Sequence, residues 1–169
     1  MGIGVVSAET VPIFLMHMVR LLMVCLGNIC RSPMAEGILR HKAQERGIDI
    51  EHDSCGTSNY HIAEAPDDRA VDKMAQYGID ISDLRARQFK SKDFDEFDRI
   101  YVMDQSNYRD VIRMADSEEK KAKVKMILNE IHPGSDSPVP DPWFGGMDGF
   151  ESVYQLLELS CDKILDHVK

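Results

Sequence analysis

No stretch of this chain approaches the roughly 18–20 consecutive apolar residues that a membrane-spanning helix needs, so no membrane association is expected. A basic patch is missing as well. With 20 Lys and Arg against 29 Asp and Glu the net charge is −9 and the pI is near 5.1. That balance weighs against nucleic acid as a partner, and any phosphate bound here must find a local positive field. Only four cysteines occur in 169 residues, two of them in one short loop. That distribution is unlike the disulfide framework of a small secreted scaffold, and a reducing, cytoplasmic setting is expected. His41, His52, His61 and His132 are scattered on segments read as surface, without ligand spacing, so neither a metal site nor a cofactor is expected. There are no repeats and no low-complexity tracts. The first nineteen residues hold an apolar run, "VPIFLMHMV", but no basic n-region and no clear cleavage site, which argues against a secretory signal. They are read as an extension of uncertain relevance, with Met16 and Met18 as possible starts, ahead of one domain over 20–169.

What is present alternates. "RLLMV" (20–24) reads as a buried parallel strand. A helix should open at Ser32-Pro33, with Pro33 at its first position, bury Met34, Ile38 and Leu39 on one face, and stop at Gly47. A second strand lies in "IEHDSCGTS" (50–58) and a second helix in "PDDRAVDKMAQYG" (66–78). A third strand is centred on Ile100–Met103 within 97–104, and a helix follows from about Ser106. "AKVKMIL" (122–128) supplies a fourth strand. After the Pro- and Gly-rich stretch 132–149 comes a last helix over 150–168, with Val153, Leu156, Leu157 and Ile164 along one side. This order predicts a single α/β domain: a three-layer sandwich with a central four-stranded parallel sheet and helices on both faces. Ligands of such sheets bind at the carboxyl ends of the strands, where 25–32, 54–58, 104 and 132–149 should meet.

The stretch with chemistry in it is "VCLGNICRSP", Val24 to Pro33. Backbone N–H groups curled around one point make an anion nest, and the helix that follows adds its positive end. Gly27 and Asn28 are the residues best able to take the left-handed conformations of such a curl. Arg31 offers a planar fork for two phosphate oxygens. The same surroundings favour a thiolate at Cys25, and a thiolate is a nucleophile able to attack phosphorus. Plainer readings stand beside these. Cys25 could be a packed small hydrophobe, Ser32 a helix N-cap, and Asp141 an ordinary turn residue before proline, while Cys55 and Cys161 read as packed thiols.

The loop resembles the signature of the low-molecular-weight protein tyrosine phosphatases. The likeness continues through "DSCGTSNY", "ARQF", "FDRIYVMDQSN" and "DPWFGG" to "GFESVYQLLELSC", covering nearly everything from Arg20 onward. A bare C-x5-R would be a weak signal, and this ordered set is a strong one. The resemblance implies the phosphotyrosine phosphatase I-like fold and hydrolysis of phosphotyrosine through a cysteinyl-phosphate. Cys25 would be the nucleophile, Arg31 the binder of the phosphoryl group, and Asp141 in "PDPW" the general acid and then base. Ser32 would ease departure of the thiolate. Asn28 and Ser54 would hold the loop's shape, and Asp104 would support Arg31. The phosphate-binding loop would be Leu26, Gly27, Asn28, Ile29, Cys30 and Arg31. The walls of a phosphotyrosine slot would be Leu26, Tyr60, Trp143 and Phe144. A Cys25–Cys30 disulfide that protects the nucleophile from deeper oxidation is also implied, with an inert buried Cys30 as the alternative.

Many relatives carry tandem tyrosines after the Asp-Pro. Here Trp143 and Phe144 stand there, so regulation by phosphorylation at those positions does not carry over. Implied partners are a phosphotyrosine-containing protein or peptide, with inorganic phosphate as product, acting as a monomer or weak dimer. Three alternatives stay open. One is a catalytically silent phosphate-binding module, although both Cys25 and Asp141 are retained. An arsenate reductase would need a thiol relay, and Cys55 and Cys161 do not have its expected spacing. A protein-arginine phosphatase would carry threonine where this chain has Ile29.

Overall fold

The structure is a computed structural model and describes residues 17–168, so the segment 1–16, and with it most of the 1–19 extension, lies outside the described residues. Four strands form one parallel sheet: β1 (Val19–Cys25), β2 (Ile50–Gly56), β3 (Arg99–Val102) and β4 (Val124–Met126), in the order β2-β1-β3-β4. The helices are α1 (Arg31–Arg46), α2 (Asp68–Gln76), α3 (Asp93–Glu96), α4 (Gln105–Arg113), α5 (Glu118–Ala122) and α6 (Met147–Asp166).

The two-residue period of a strand explains the layers. In β1, Leu21, Met23 and Cys25 point to the face covered by α1, α2 and α6, where Met34, Ile38, Met74, Val153 and Leu157 complete the core. Leu22 and Val24 point the other way, toward Phe94 of α3, Val111 of α4 and Phe97. Strand β1 is thus buried on both faces, as its unbroken apolar run requires. The expected three-layer α/β sandwich with four parallel strands is the architecture found. No helix among the described residues is long and apolar enough to cross a membrane.

Two features place the site. The chain leaves β1 for β2 on one side and later returns to β3 on the other, so the switch in strand order falls beside the carboxyl end of β1. Gly56, the last residue of β2, lets the loop after β1 approach closely: a Cβ there would lie 2.6 Å from the carbonyl oxygen of Leu26.

Several boundaries differ from the sequence reading. Helix α1 begins at Arg31 after Cys30, so Pro33 is the third helical residue rather than the first. Its missing N–H is tolerated there because the first turn's N–H groups have no intrahelical acceptor. Gly47 does end α1, at φ 64°. Strand β4 keeps only three of the seven residues read as strand, because α5 takes the residues before it and a 3-10 turn, Ile127–Glu130, those after. The one-turn α3 and α5 are too short for hydrophobic periodicity to reveal.

Gly37 gives a direct test of the packing of α1. A Cβ there would sit 2.3 Å from Cγ2 of Ile81 and 3.2 Å from Cε of Met74, both fully buried. Gly37→Ala should therefore lower stability by about 1–3 kcal/mol through overpacking, against a helix-propensity gain of about 1 kcal/mol. Urea denaturation reads the sign, and a stabilised variant would show that the α1–α2 contact is looser than described.

Candidate active site

Cys25 is the last residue of β1 and is 3% exposed. The loop after it is held open from outside. The carbonyl of Cys25 accepts the N–H of Thr57 (2.9 Å), that of Leu26 the N–H of Ser58 (2.9 Å), and that of Ile29 the N–H of Asp67 (2.8 Å). A trans peptide directs its C=O and the following N–H oppositely. Drawing these carbonyls outward therefore turns the N–H groups of Leu26, Gly27 and Cys30 toward the inside of the curl.

Asn28 sits at φ 56° in the left-handed region, as expected, and its own N–H lies 3.3 Å from the Cys25 sulfur. Gly27 is not left-handed, contrary to expectation. What its missing Cβ provides is space, since a Cβ there would meet Cδ2 of His61 at 3.0 Å. The Asn28 side chain is fully engaged. Its amide donates to Ser32 Oγ (2.8 Å) and Ser54 Oγ (3.0 Å), and its oxygen accepts the N–H of Arg87 (3.1 Å).

Ser32 does not cap α1; its hydroxyl lies 3.0 Å from Cys25 Sγ and 3.3 Å from the carbonyl oxygen of Cys55. Because Asn28 already donates to the Ser32 hydroxyl oxygen, that hydroxyl has one proton for two acceptors, the Cys55 carbonyl to which it donates and the Cys25 sulfur 3.0 Å away. Behind Ser54 the network goes on. Ser54 donates to Oε2 of buried Glu36 (2.6 Å), whose Oε1 meets Nδ1 of His52 at 2.9 Å.

Arg31 is almost fully buried. One terminal nitrogen, NH1, donates to Oδ2 of Asp104 (2.8 Å) and to the carbonyl of Val139 (3.1 Å). The other, NH2, lies 3.9 Å from Oδ2 of Asp141. Asp104 in turn caps α4 by accepting the N–H of Asn107 (2.8 Å), so one carboxylate fixes both the arginine and a helix start. The Val139 N–H donates to the carbonyl of Met103 (2.8 Å), which ties the stretch before Asp141 to the end of β3. Asp141 is half-exposed and caps the short 3-10 turn Pro142–Phe144 through the N–H of Trp143 (3.0 Å).

Cys25, Cys30, Arg31 and Asp141 line a cavity of about 230 Å³ together with Leu26, Gly27, Ile29, Tyr60, His61, Trp143 and Phe144. All four expected wall residues are there. His61, read from sequence as a scattered surface histidine, joins them with Nδ1 2.7 Å from Glu64. Glu36, His52 and Arg87 were missed as well. For Glu36 a signal existed, since it follows Ser32 by four residues and so shares its helix face.

All four cysteines are free and buried. Burial first, then the charge of Asp67, pushes the Cys30 thiol up to about 12, and burial raises Cys55 and Cys161 above the ordinary thiol range. No group of three potential metal ligands exists among the described residues.

A family profile described as low molecular weight phosphotyrosine protein phosphatase matches residues 20–169. A low molecular weight protein-tyrosine-phosphatase of Synechocystis, so named as a putative one, is 44% identical over 148 residues, spanning 86% of this chain and 94% of its own. Among solved structures, a protein tyrosine phosphatase from Entamoeba histolytica, with Hepes in its active site, aligns with a TM-score of 0.82 at 34% identity, covering 88% of this chain and 95% of that one. A Drosophila arginine phosphatase aligns with a TM-score of 0.81 at 33% identity, covering 88% and 97%.

Asn28 offers the test of the loop. Asn28→Gly should retain about 1 kcal/mol more stability than Asn28→Ala, since only alanine resists the left-handed backbone. Both should fall below wild type by about 1–3 kcal/mol for the orphaned Ser54, Ser32 and Arg87 groups. Thermal unfolding midpoints check this, and equal midpoints for the two variants would remove the backbone argument.

Proposed function

Since this chain belongs to the low molecular weight phosphotyrosine protein phosphatase family and is a phosphoric monoester hydrolase, we propose that it dephosphorylates phosphotyrosine in proteins or peptides by a two-step thiol mechanism. The observation that carries the reading is the cavity floor. The Cys25 sulfur accepts the Asn28 N–H and shares one cavity with Arg31 and Asp141, the last 3.9 Å from that arginine.

In the first step the Cys25 thiolate attacks phosphorus, an S–P bond forms and the P–O bond to the phenol breaks. Asp141 gives its proton to the departing oxygen. Arg31 and the loop N–H groups hold the three equatorial oxygens as charge gathers on them. In the second step Asp141, now ionised, takes a proton from water as that water attacks phosphorus. The S–P bond breaks, inorganic phosphate is released, and the Ser32 hydroxyl donates to the returning thiolate.

The slot between Leu26, Tyr60, Trp143 and Phe144 supports phosphotyrosine over the shorter phosphoserine, because a ring can stack in it while its phosphate reaches the floor. Ile29, also in the lining, supports tyrosine rather than arginine phosphatase activity. Reversible protection of Cys25 by Cys30 is part of the same reading. A peroxide would oxidise the Cys25 thiolate to the sulfenic acid, and the Cys30 sulfur would then attack it to form the disulfide with loss of water.

The test is hydrolysis of p-nitrophenyl phosphate and of phosphoarginine by reduced protein without added metal. Wild type should turn over the aryl phosphate and leave phosphoarginine intact. Cys25→Ser should abolish turnover, and Asp141→Asn should lower it about 10²–10⁴-fold. Phosphate binding without turnover would replace the enzyme with a silent binding module, and preference for phosphoarginine would replace the substrate.

A further inference from the structure

Asp141 and Cys25 sit on separate loops, yet they must meet one phosphoryl group at fixed distances. What holds the two loops in register lies outside the cavity floor, at the start of α2. The Asp67 N–H donates to the carbonyl of Ile29 within the phosphate loop (2.8 Å). The Asp67 carboxylate caps α2 through the N–H of Arg69 (2.9 Å) and grips the same residue's guanidinium through Nε (3.0 Å) and NH2 (3.1 Å). That fork leaves NH1, which donates to the carbonyl of Trp143 (3.0 Å). The guanidinium also lies 5.3 Å from the centroid of the Trp143 ring and 5.0 Å from that of Phe150, in the first turn of α6. Trp143 is the residue whose N–H binds the Asp141 carboxylate.

We propose that Arg69 is a positioning residue that latches the Asp141–Phe144 turn to the phosphate loop through Asp67, so that the acid is presented to the leaving oxygen. The inference rests on the catalytic reading given above. A continuous path runs from the Ile29 carbonyl through Asp67 and Arg69 to Trp143 and Asp141. Its far side is anchored too, since α2 is bound to α6 by the ion pair Lys73–Glu151 (2.9 Å) and the stacked rings of Tyr77 and Tyr154. The turn therefore rests on a helix that does not shift freely. Arginine suits the place because its planar fork satisfies a carboxylate and a carbonyl at once while its face lies on two aromatic rings. A lysine would offer a point charge in place of that geometry. Hydrogen bonding from Arg69 also keeps the Asp67 carboxyl below the usual carboxylate range, so the fork stays charged across the working pH range.

The rival role is local, a capping ion pair that only steadies the start of α2. Leaving-group dependence separates the two. An acid in place makes the rate of P–O cleavage nearly indifferent to how poor the departing phenol is, whereas a misplaced acid makes it sensitive. The experiment measures kcat/KM for phenyl phosphate and p-nitrophenyl phosphate in wild type, Arg69→Gln, Arg69→Lys and Asp141→Asn, with urea midpoints as a control on folding. Arg69→Gln is expected to lose about 10-fold or more on phenyl phosphate, a scale set by sub-ångström misplacement of a reacting group. Its loss on p-nitrophenyl phosphate should be several-fold smaller, a muted form of the Asp141→Asn pattern, and Arg69→Lys should recover only part of it. Equal losses on both substrates, or lowered stability with unchanged kcat/KM, would overturn the latch. A steepened dependence in Asp141→Asn without any in Arg69→Gln would do the same while leaving the catalytic reading intact. No steepening in Asp141→Asn would instead overturn the assignment of Asp141 as the acid.

Discussion

The side chain of Asn28 is the constraint on which the rest of the site depends. A left-handed backbone in a non-glycine residue costs on the order of 1–2 kcal/mol and persists only where its surroundings over-determine it. Here three hydrogen bonds do so, two donated to Ser32 and Ser54 and one accepted from the Arg87 N–H. Those bonds have consequences for chemistry. By donating to Ser32, Asn28 leaves the serine only its own proton to give, and the acceptors within reach are the Cys25 sulfur and the Cys55 carbonyl. The strain of the turn and the polarity of the serine are settled by one amide.

The second constraint is charge. In a chain of net charge −9 the proposed dianion site relies on local groups rather than a field. Arg31 is held by Asp104, so the buried cation is compensated when the cavity is empty, and a buried charge left without its partner would be costly. The second carboxylate, Asp141, approaches from the other side at 3.9 Å. On the proposed reading an incoming phosphate would replace the long contact to exposed Asp141 and leave the short one to Asp104 in place. The arginine need not choose between structure and ligand, because its two terminal nitrogens face different partners.

The sequence reading recovered whatever regular patterning or chemical type announces. An unbroken apolar run gave β1 and Gly47 gave the end of α1, both found where expected, and the structure brings Cys25 and Arg31 of the expected loop into the lining of one cavity. It failed where a residue's role comes from a partner distant in the chain. Arg69 and Asp67 fell within a helix read over 66–78, His61 read as a surface residue, and Glu36 was given no role. It also failed where two explanations fit one residue type. Gly27 was credited with a left-handed turn, where its missing Cβ instead gives clearance for His61, and of the two readings open for Ser32 the capping one does not hold, because α1 begins at Arg31 and Ser32 is its second residue. Pairing over long sequence separations cannot be seen from periodicity, which reports only the face a residue occupies.

The proposed nucleophile and the proposed acid are held in opposite ways, and the proposed chemistry explains why. Cys25 lies in a network in which Asn28, Ser32 and Ser54 are each almost completely buried, so the thiolate meets the same donors at every turnover. Asp141 has a side chain 44% exposed and is tied down through surface contacts of its own turn. A carboxylate buried as deeply as the cysteine could deliver one proton, but it could not recover one from water in the following step without opening the site. An acid that must later serve as a base has to border on solvent, and a group that borders on solvent has to be positioned by its neighbours instead of by burial. That requirement accounts for a half-buried arginine and a helix N-terminus from 67–69 lying against the aromatic ring of the proline-rich loop.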